Sequence, residues 1–310
     1  MTKVFIDGKA GTTGLRIYER LEARDDIELL TLSDEERKDT QARLRMLNAC
    51  DVAFLCLPDD AARESVSLIE NPDVTVIDTS TAHRTDAAWA YGFPELSEEL
   101  EEKIKSSKRI AVPGCHACGF IALVYPLVKE GIVDKDMLFS CHSITGYSGG
   151  GKKMIAEYED GGRDDLLDAP RQYGIGQMHK HLKEMKAISG IENAPVFSPI
   201  VSDFYSGMEM TVPIFAKQLK DGKKIEDIKE IYKKYYDSAI VHYGESIDEN
   251  GFVSANALSG KDCMEITVCG NDERAVLIAR YDNLGKGASG AAVECLNLVI
   301  GADKESGLSL

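Results

Sequence analysis

The sequence is short of positive charge: 36 Lys and Arg stand against 52 Asp and Glu, a net charge of -16 at pH 7. A surface of that sign repels nucleic-acid backbones and anionic bilayers, so neither is expected as a partner. It does not exclude an anionic small molecule, because a local basic pocket can sit on an acidic surface. No apolar run is long enough to span a membrane. Met1 leads straight into an apolar strand with no signal-peptide pattern, which implies a cytoplasmic protein. Internal repeats and low-complexity segments are absent as well. A disulfide framework is not expected from eight cysteines in 310 residues, and Cys56, Cys141 and Cys269 fall in apolar strand patterns, as reduced core thiols do. Cys115 and Cys118 form a C-x-x-C, but no second such pair completes a zinc site, and no metal is expected. The motif also reads as a redox pair opening a helix.

What is present is the composition of a soluble globular protein, 44% hydrophobic and 28% charged, in a chain long enough for two domains. Up to residue 114, apolar strands at 3–7, 27–32, 51–57 and 74–78 alternate with helical patterns. Such alternation builds a parallel sheet with crossover helices, an α/β fold of the Rossmann type. Gly8, Gly11 and Gly14, with Thr12 and Thr13 between them, occupy the first strand–helix turn. Glycines let backbone N–H groups approach a pyrophosphate, and the helix N-terminus favours its charge. The spacing is G-x-x-G-x-x-G rather than the commoner G-x-G-x-x-G, and a plain tight turn uses the same residues. Beyond the second strand, Ser33 and Arg37 suit a 2′-phosphate and hence NADP, while Asp34 suits ribose hydroxyls and hence NAD; a solvated charged loop has the same composition. Ser80 and Arg84 follow the strand at 74–78, where ligands meet parallel sheets. Arg84 suits a carboxylate or phosphate, and equally a solvated surface.

After about residue 130 the pattern changes. Strand-like stretches at 137–144, 208–215, 264–269 and 275–282 lie far apart, without a helix after each. This predicts a second, α+β domain with a mostly antiparallel sheet. The expected boundaries are residues 1–114, completed by a C-terminal helix in 285–310, and residues 115–284. Cys115 follows a short strand and a Pro-Gly turn and opens a helix. Unpaired N–H groups and the dipole there favour a thiolate, which is the nucleophilic form. A buried structural cysteine fits the same pattern. Its base comes from one of six histidines or a carboxylate. In His179–Lys180–His181 an extended backbone puts both imidazoles on one face; a pair of helix-start histidines is the alternative. Gly149–Gly150–Gly151 reads as an anion-binding turn or a hinge. Residues 287–290 read as a tightly packed helix start.

Taken together, these blocks resemble N-acetyl-γ-glutamyl-phosphate reductases of the shorter form, along the whole chain. The resemblance is carried by Phe5–Ile6–Asp7–Gly8 with Gly11–Thr12–Thr13–Gly14, by Ser80–Thr81–Ala82–His83–Arg84, by Tyr91–Gly92–Phe93–Pro94–Glu95–Leu96 and by Pro113–Gly114–Cys115. Gly146–Tyr147–Ser148–Gly149–Gly150–Gly151–Lys152–Lys153, His179–Lys180–His181 and Asn283–Leu284–Gly285–Lys286–Gly287 complete it. His116 and Cys118 depart from it: the family usually has an aromatic residue or Pro, and then Thr, at these places. Lys183 stands where a Pro is usual. The resemblance implies a Rossmann domain followed by a domain like the C-terminal one of glyceraldehyde-3-phosphate dehydrogenase. It implies NADPH-dependent reduction of an acyl phosphate, N-acetyl-γ-glutamyl phosphate, to N-acetylglutamate 5-semialdehyde in arginine biosynthesis. Cys115 would form a thioacyl enzyme, with His179 or His181 as acid/base. Ser80, Arg84 and Lys152 would meet substrate. Gly8, Gly11, Thr12, Thr13, Gly14, Ser33, Arg37, Ser148, Gly149, Asn283 and Gly287 would border NADP. A homodimer or homotetramer is implied too. Aspartate-semialdehyde dehydrogenase chemistry and a non-catalytic NADP-sensing regulator are the competing readings.

Overall fold

The computed structural model describes residues 1–33 and 35–310; Asp34, the residue suited to ribose hydroxyls, lies outside the described residues. The chain divides into two compact units, Met1–Gly114 with Ala288–Leu308, and Cys115–Gly287 with Ser309–Leu310.

The first unit runs β1 (Thr2–Asp7), α1 (Thr12–Leu21), β2 (Ile27–Leu30), α2 (Thr40–Ala49), β3 (Val52–Leu55), α3 (Asp59–Ser67), β4 (Thr75–Asp78), β5 (Ala90–Tyr91), α4 (Glu98–Ser106) and β6 (Arg109–Ala111). Its strands form one parallel sheet in the order β2-β1-β3-β4-β6-β5. Side chains alternate across it. Val4, Ile6, Phe54, Ile77 and Ile110 pack with Ile17, Leu21 and Ile104. Phe5, Ala53, Leu55 and Val76 pack on the opposite face with Leu47, Ala62 and Trp89. Burial on both faces is why these strands read as unbroken apolar runs. The strand order turns back between β1 and β3, so the crevice at their carboxyl ends is the switch point where such sheets take ligands.

The second unit comprises α5 (Cys115–Lys129), β7 (Ser140–Gly146), α6 (Gly151–Glu159), β8 (Arg171–Gln172), α7 (His181–Ser189), β9 (Val196–Ser202), β10 (Met208–Phe215), α8 (Ile225–Tyr235), β11 (Val241–Tyr243), β12 (Met264–Gly270) and β13 (Arg274–Tyr281). The chain then returns to the first unit as α9 (Gly290–Ile300), whose Ala291, Ala292, Val293 and Leu296 join the core beside α1 and α4. The second sheet has the order β11-β12-β13-β10-β7-β9-β8. It is mixed: β11/β12 and β7/β9 are parallel, and the other pairs are antiparallel. The sequence pattern missed β9, where Pro199 interrupts the run, and α8.

Helix α5 is the centre of this unit. It is apolar almost all round, buried from His116 to Val124, and packs against α7, α8, β10 and β13. Gly119 permits the contact with the sheet: a Cβ there would lie 2.6 Å from the Tyr281 hydroxyl and 2.8 Å from Cβ of Met210. Pro126 stands inside the helix and has no N–H for the Ala122 carbonyl. The Tyr236 hydroxyl donates to that carbonyl at 2.6 Å, and the Tyr232 hydroxyl donates to the Leu123 carbonyl. The Tyr236 phenol thus answers for the missing donor, and the helix runs through the proline. Among the described residues no helix is long and apolar enough to cross a membrane. Tyr236→Phe, which strands a buried carbonyl, is expected to cost about 1–3 kcal/mol, measured as a lowered urea midpoint.

Candidate active site

Cys115 is the first residue of α5 and is half-buried. Its carbonyl accepts from the Tyr281 hydroxyl at 2.6 Å, and the phenolic oxygen of Tyr281 in turn accepts from the Gly119 N–H at 3.2 Å. One phenol therefore staples the first turn of α5 to β13. A wide turn at Gly285–Ser289 also packs against Cys115: a Cβ at Gly287 would lie 3.2 Å from Cβ of Cys115. Gly287 thus borders Cys115, and this close approach is what the glycine allows. All eight cysteines are thiols rather than disulfides. Burial pushes the Cys50, Cys56 and Cys141 thiols up to about 12, so these stay neutral core groups.

A histidine cluster gathers around His116, the residue after Cys115. His181 opens α7 and His179 precedes it, so the segment is a helix start and not extended. The two rings still meet, edge to face with centroids 4.7 Å apart. Folding the chain at the helix start does what strand alternation was expected to do. His179 Nδ1 accepts from the His181 backbone N–H at 3.2 Å, so a neutral His179 ring carries its proton on Nε2. Burial, with Lys180 beside it, holds the His179 pKa below the ordinary histidine value. His116 is the third ring, 5.7 Å from both His179 and His181. It hydrogen-bonds Ser143 through Nδ1 at 2.8 Å and Tyr173 through Nε2 at 2.6 Å. Sequence reasoning missed Ser143 and Tyr173. A signal for Ser143 exists, since a serine between Cys141 and Thr145 lies on the buried face of β7. Among the described residues no group of three or more His, Cys, Asp or Glu could hold a metal ion.

The remaining candidates in this unit are joined to one another. Asn283 donates to the Ser148 hydroxyl at 3.0 Å and accepts from the Gly207 N–H at 2.9 Å. Gly149 packs on the same amide, where an added Cβ would lie 3.4 Å away. Lys152 is exposed in the first turn of α6.

In the first unit, a cleft of about 650 Å³ opens at the carboxyl end of β1, lined by Gly8, Lys9, Tyr18, Leu32, Arg37 and Lys38 among others. Gly8 has φ +91°, and a Cβ on it would lie 2.3 Å from the Cys56 carbonyl oxygen, so only glycine fits where β1 meets the end of β3. The Gly11 N–H bonds the Gly8 carbonyl at 2.9 Å, and Thr12 and Thr13 open α1 with Gly14 buried behind them. An apolar cleft that includes the turn Gly8–Lys9–Ala10 leading into α1, with two exposed cations in its lining, fits a dinucleotide carrying phosphates. Lys38, next to Arg37, was not singled out from the sequence. Ser33 donates to the Glu36 carboxylate at 2.9 Å. In the lining of the same cleft, buried Asp7 is paired with Arg43 and accepts from the Ser65 hydroxyl at 2.8 Å, tying α2 and α3 to β1. Ser80 donates to Asp78 at 2.7 Å, and His83 Nδ1 lies 2.6 Å from the same carboxylate. Arg84 is buried and donates to the carbonyls of Val112 and Thr79, both at 2.8 Å.

Two family models match this chain: the semialdehyde dehydrogenase NAD binding domain over residues 3–105, and the semialdehyde dehydrogenase dimerisation domain over residues 115–283. N-acetyl-gamma-glutamyl-phosphate reductase 2 of a Nostoc species is 43% identical, with 99% of each chain covered. N-acetyl-gamma-glutamyl-phosphate reductase of a Chelativorans species is 45% identical, covering 96% of this chain and 98% of its own. In fold, the chain is similar to aspartate semialdehyde dehydrogenase II of Vibrio cholerae, with a TM-score of 0.72 at 16% identity over 97% and 98% of the two chains. A parallel nucleotide-binding sheet, a helix-opening cysteine with histidines beside it, and relatives at this identity over nearly full length agree: the chain belongs to the semialdehyde dehydrogenase family, among the N-acetyl-gamma-glutamyl-phosphate reductases.

Proposed function

We propose that the protein reduces N-acetyl-γ-glutamyl phosphate to N-acetylglutamate 5-semialdehyde with NADPH, through a thioester on Cys115. The observation that carries this reading is the half-buried thiol on the first residue of α5, with the His179–His181 pair one ring away from its neighbour His116. The Cys115 thiolate attacks the acyl carbon, the C–O bond to phosphate breaks, and phosphate leaves with the electron pair. N–H groups of the first turn of α5 stabilise the oxyanion; one such donor is typically worth about 10²–10³ in rate. NADPH, when bound, supplies the hydride that reduces the thioester carbon. The Nε2–H of neutral His179 hydrogen-bonds to the oxyanion of the resulting tetrahedral adduct. Collapse of that oxyanion to the carbonyl breaks the C–S bond, which releases the aldehyde and restores the thiolate. His181, buried and holding His179 through its backbone N–H, positions that ring.

Gly8, Gly11, Thr12, Thr13 and Gly14 would hold the pyrophosphate. Arg37 and Lys38 would select a 2′-phosphate, with Ser33 on the same loop. Arg84 and Lys152 would supply positive charge to the anionic substrate, and Ser80 would shape the loop that carries Arg84. Asn283, Ser148, Gly149 and Gly287 would border the nicotinamide end. The protein would be a cytoplasmic homodimer or homotetramer; the dimerisation-domain match supports self-association.

Cys115→Ala is expected to lower turnover by at least about 10³. Mixed with N-acetyl-γ-glutamyl phosphate without nucleotide, wild type should gain one N-acetylglutamyl group on Cys115; undiminished turnover or no adduct would reject the reading. Arg37→Gln should raise KM for NADP about tenfold, the loss of one charge-assisted hydrogen bond, and leave KM for NAD unchanged. In the reverse, phosphate-dependent oxidation, the same neutral ring must hold the oxyanion through Nε2–H while Nδ1 accepts from the His181 N–H. Its lowered pKa keeps the neutral form present in more acidic solution, so the acid limb of that pH profile should have its midpoint below the ordinary value of about 6.5. His179→Gln should lose this limb and about 10²–10⁴ in rate.

A further inference from the structure

The charged side chains of the cleft in the first unit divide unevenly. Asp7 and Arg43 are paired with each other. The other charged residues that line it, among the described residues, are Lys9, Arg37 and Lys38, all cations, in a protein whose net charge is -16. Arg37 and Lys38 follow β2, while Lys9 belongs to the turn between β1 and α1, so two separate loops bring positive charge to one cleft. The Lys9 side chain is half-buried, and its ammonium stands 3.2 Å from the centre of the Tyr18 ring, which lines the same cleft. We propose that Lys9 is a specificity-determining residue for the nucleotide: seated on Tyr18, it completes with Arg37 and Lys38 a three-cation clasp for the 2′-phosphate of NADP.

A phosphate monoester carries a charge of about −1.5 to −2 at pH 7 and three strong acceptor oxygens. A guanidinium fork serves two oxygens, and compact ammonium groups supply the remaining charge. NAD has a hydroxyl at that place and gains nothing from the added cations. Their number therefore sets the preference between the two nucleotides and leaves alone the affinity for the adenosine they share. A lysine stem is flexible, and ordering it on binding weakens the contact it makes. An aromatic face that attracts the ammonium beforehand reduces that loss, which makes Tyr18 a positioning residue. The pyrophosphate is the other anion of the same molecule. Tyr18 lies more than a turn into α1, so the ring holds the ammonium along the flank of the helix. The first N–H groups, at Thr12 and Thr13, are left for the pyrophosphate.

The inference rests on the proposed use of this cleft for an adenine dinucleotide, and its test needs neither the acyl phosphate nor hydride transfer. The full-length protein is titrated calorimetrically with adenosine 2′,5′-bisphosphate and with AMP, which lacks the 2′-phosphate, and the ratio of the two Kd values gives the selectivity. Lys9→Gln should lower the selectivity about tenfold, the loss of one charge-assisted contact, with the Kd for AMP changed by less than about twofold. Lys9→Arg should keep most of the selectivity, because the charge stays. Tyr18→Leu unseats the ammonium and should lower the selectivity in part; the Tyr18→Leu, Lys9→Gln double variant should fall no further than Lys9→Gln alone, because the ring acts through the ammonium. Unchanged selectivity in Lys9→Gln, while wild type prefers the bisphosphate, would overturn the proposal and leave the proposed function standing. Equal weakening of both ligands would put the ammonium at the pyrophosphate and overturn it too, as would an additive loss in the double variant. Should Lys9→Gln not fold, unchanged selectivity in Tyr18→Leu would overturn it equally. A wild type without preference for the bisphosphate would reject NADP and this inference together. Selectivity lost as expected in Lys9→Gln, in a protein that does not turn over the acyl phosphate, would reject the proposed reaction and support the clasp.

Discussion

The close seating of α5 on β13 is the contact on which the second unit's chemistry depends. Gly119 removes the side chain that would hold the helix away, and the Tyr281 hydroxyl bridges the Gly119 N–H and the Cys115 carbonyl. A helix start is ordinarily its most easily frayed part, because its first N–H groups have no partners within the helix. Here the first turn is pinned from the sheet side by a phenol and also packs against the turn at Gly285–Ser289. Cys115 is therefore held in one place without being buried. The same seating makes α5 the most apolar helix contact of the unit, and it tolerates Pro126 only because Tyr236 supplies the absent donor.

Burial separates the thiols and the histidines into kinds. Cys50, Cys56 and Cys141 are desolvated until ionisation is out of reach, which makes them small hydrophobic side chains. Cys115 keeps partial exposure at a helix start. His116 is strongly desolvated and fixed between two hydroxyls, while His179 is less completely covered. Burial favours the neutral ring at both, which keeps each one's hydrogen-bond pattern fixed.

The first unit meets a different demand, an anion site on a protein of net charge -16. Its answer is local. The backbone at Gly8 comes so near the Cys56 carbonyl that no side chain fits, the turn Gly8–Lys9–Ala10 leads into α1, and Arg37 and Lys38 line the cleft. The buried Asp7 in the same lining is neutralised by Arg43, so its charge does not oppose a phosphate.

Much of this was legible in the residues themselves. Strands buried on both faces leave continuous apolar runs, so β1, β3 and β4 could be read directly, and the glycine turn and the helix-opening cysteine follow from local chain geometry. β9 was not legible because Pro199 breaks its pattern, and the histidine pair was expected from an extended segment that is in fact a helix start. Contacts between residues far apart in sequence were beyond reach: Ser143, Tyr173 and His179 gather around His116, and Arg84 is turned onto the carbonyls of Thr79 and Val112. The sequence by itself determined which residue types open each helix and which runs are buried, because propensity, turn chemistry and periodicity act over a few residues. Only the tertiary structure decided which thiols stay partly exposed and which imidazole is held neutral, because desolvation is set by neighbours that the fold brings from elsewhere in the chain.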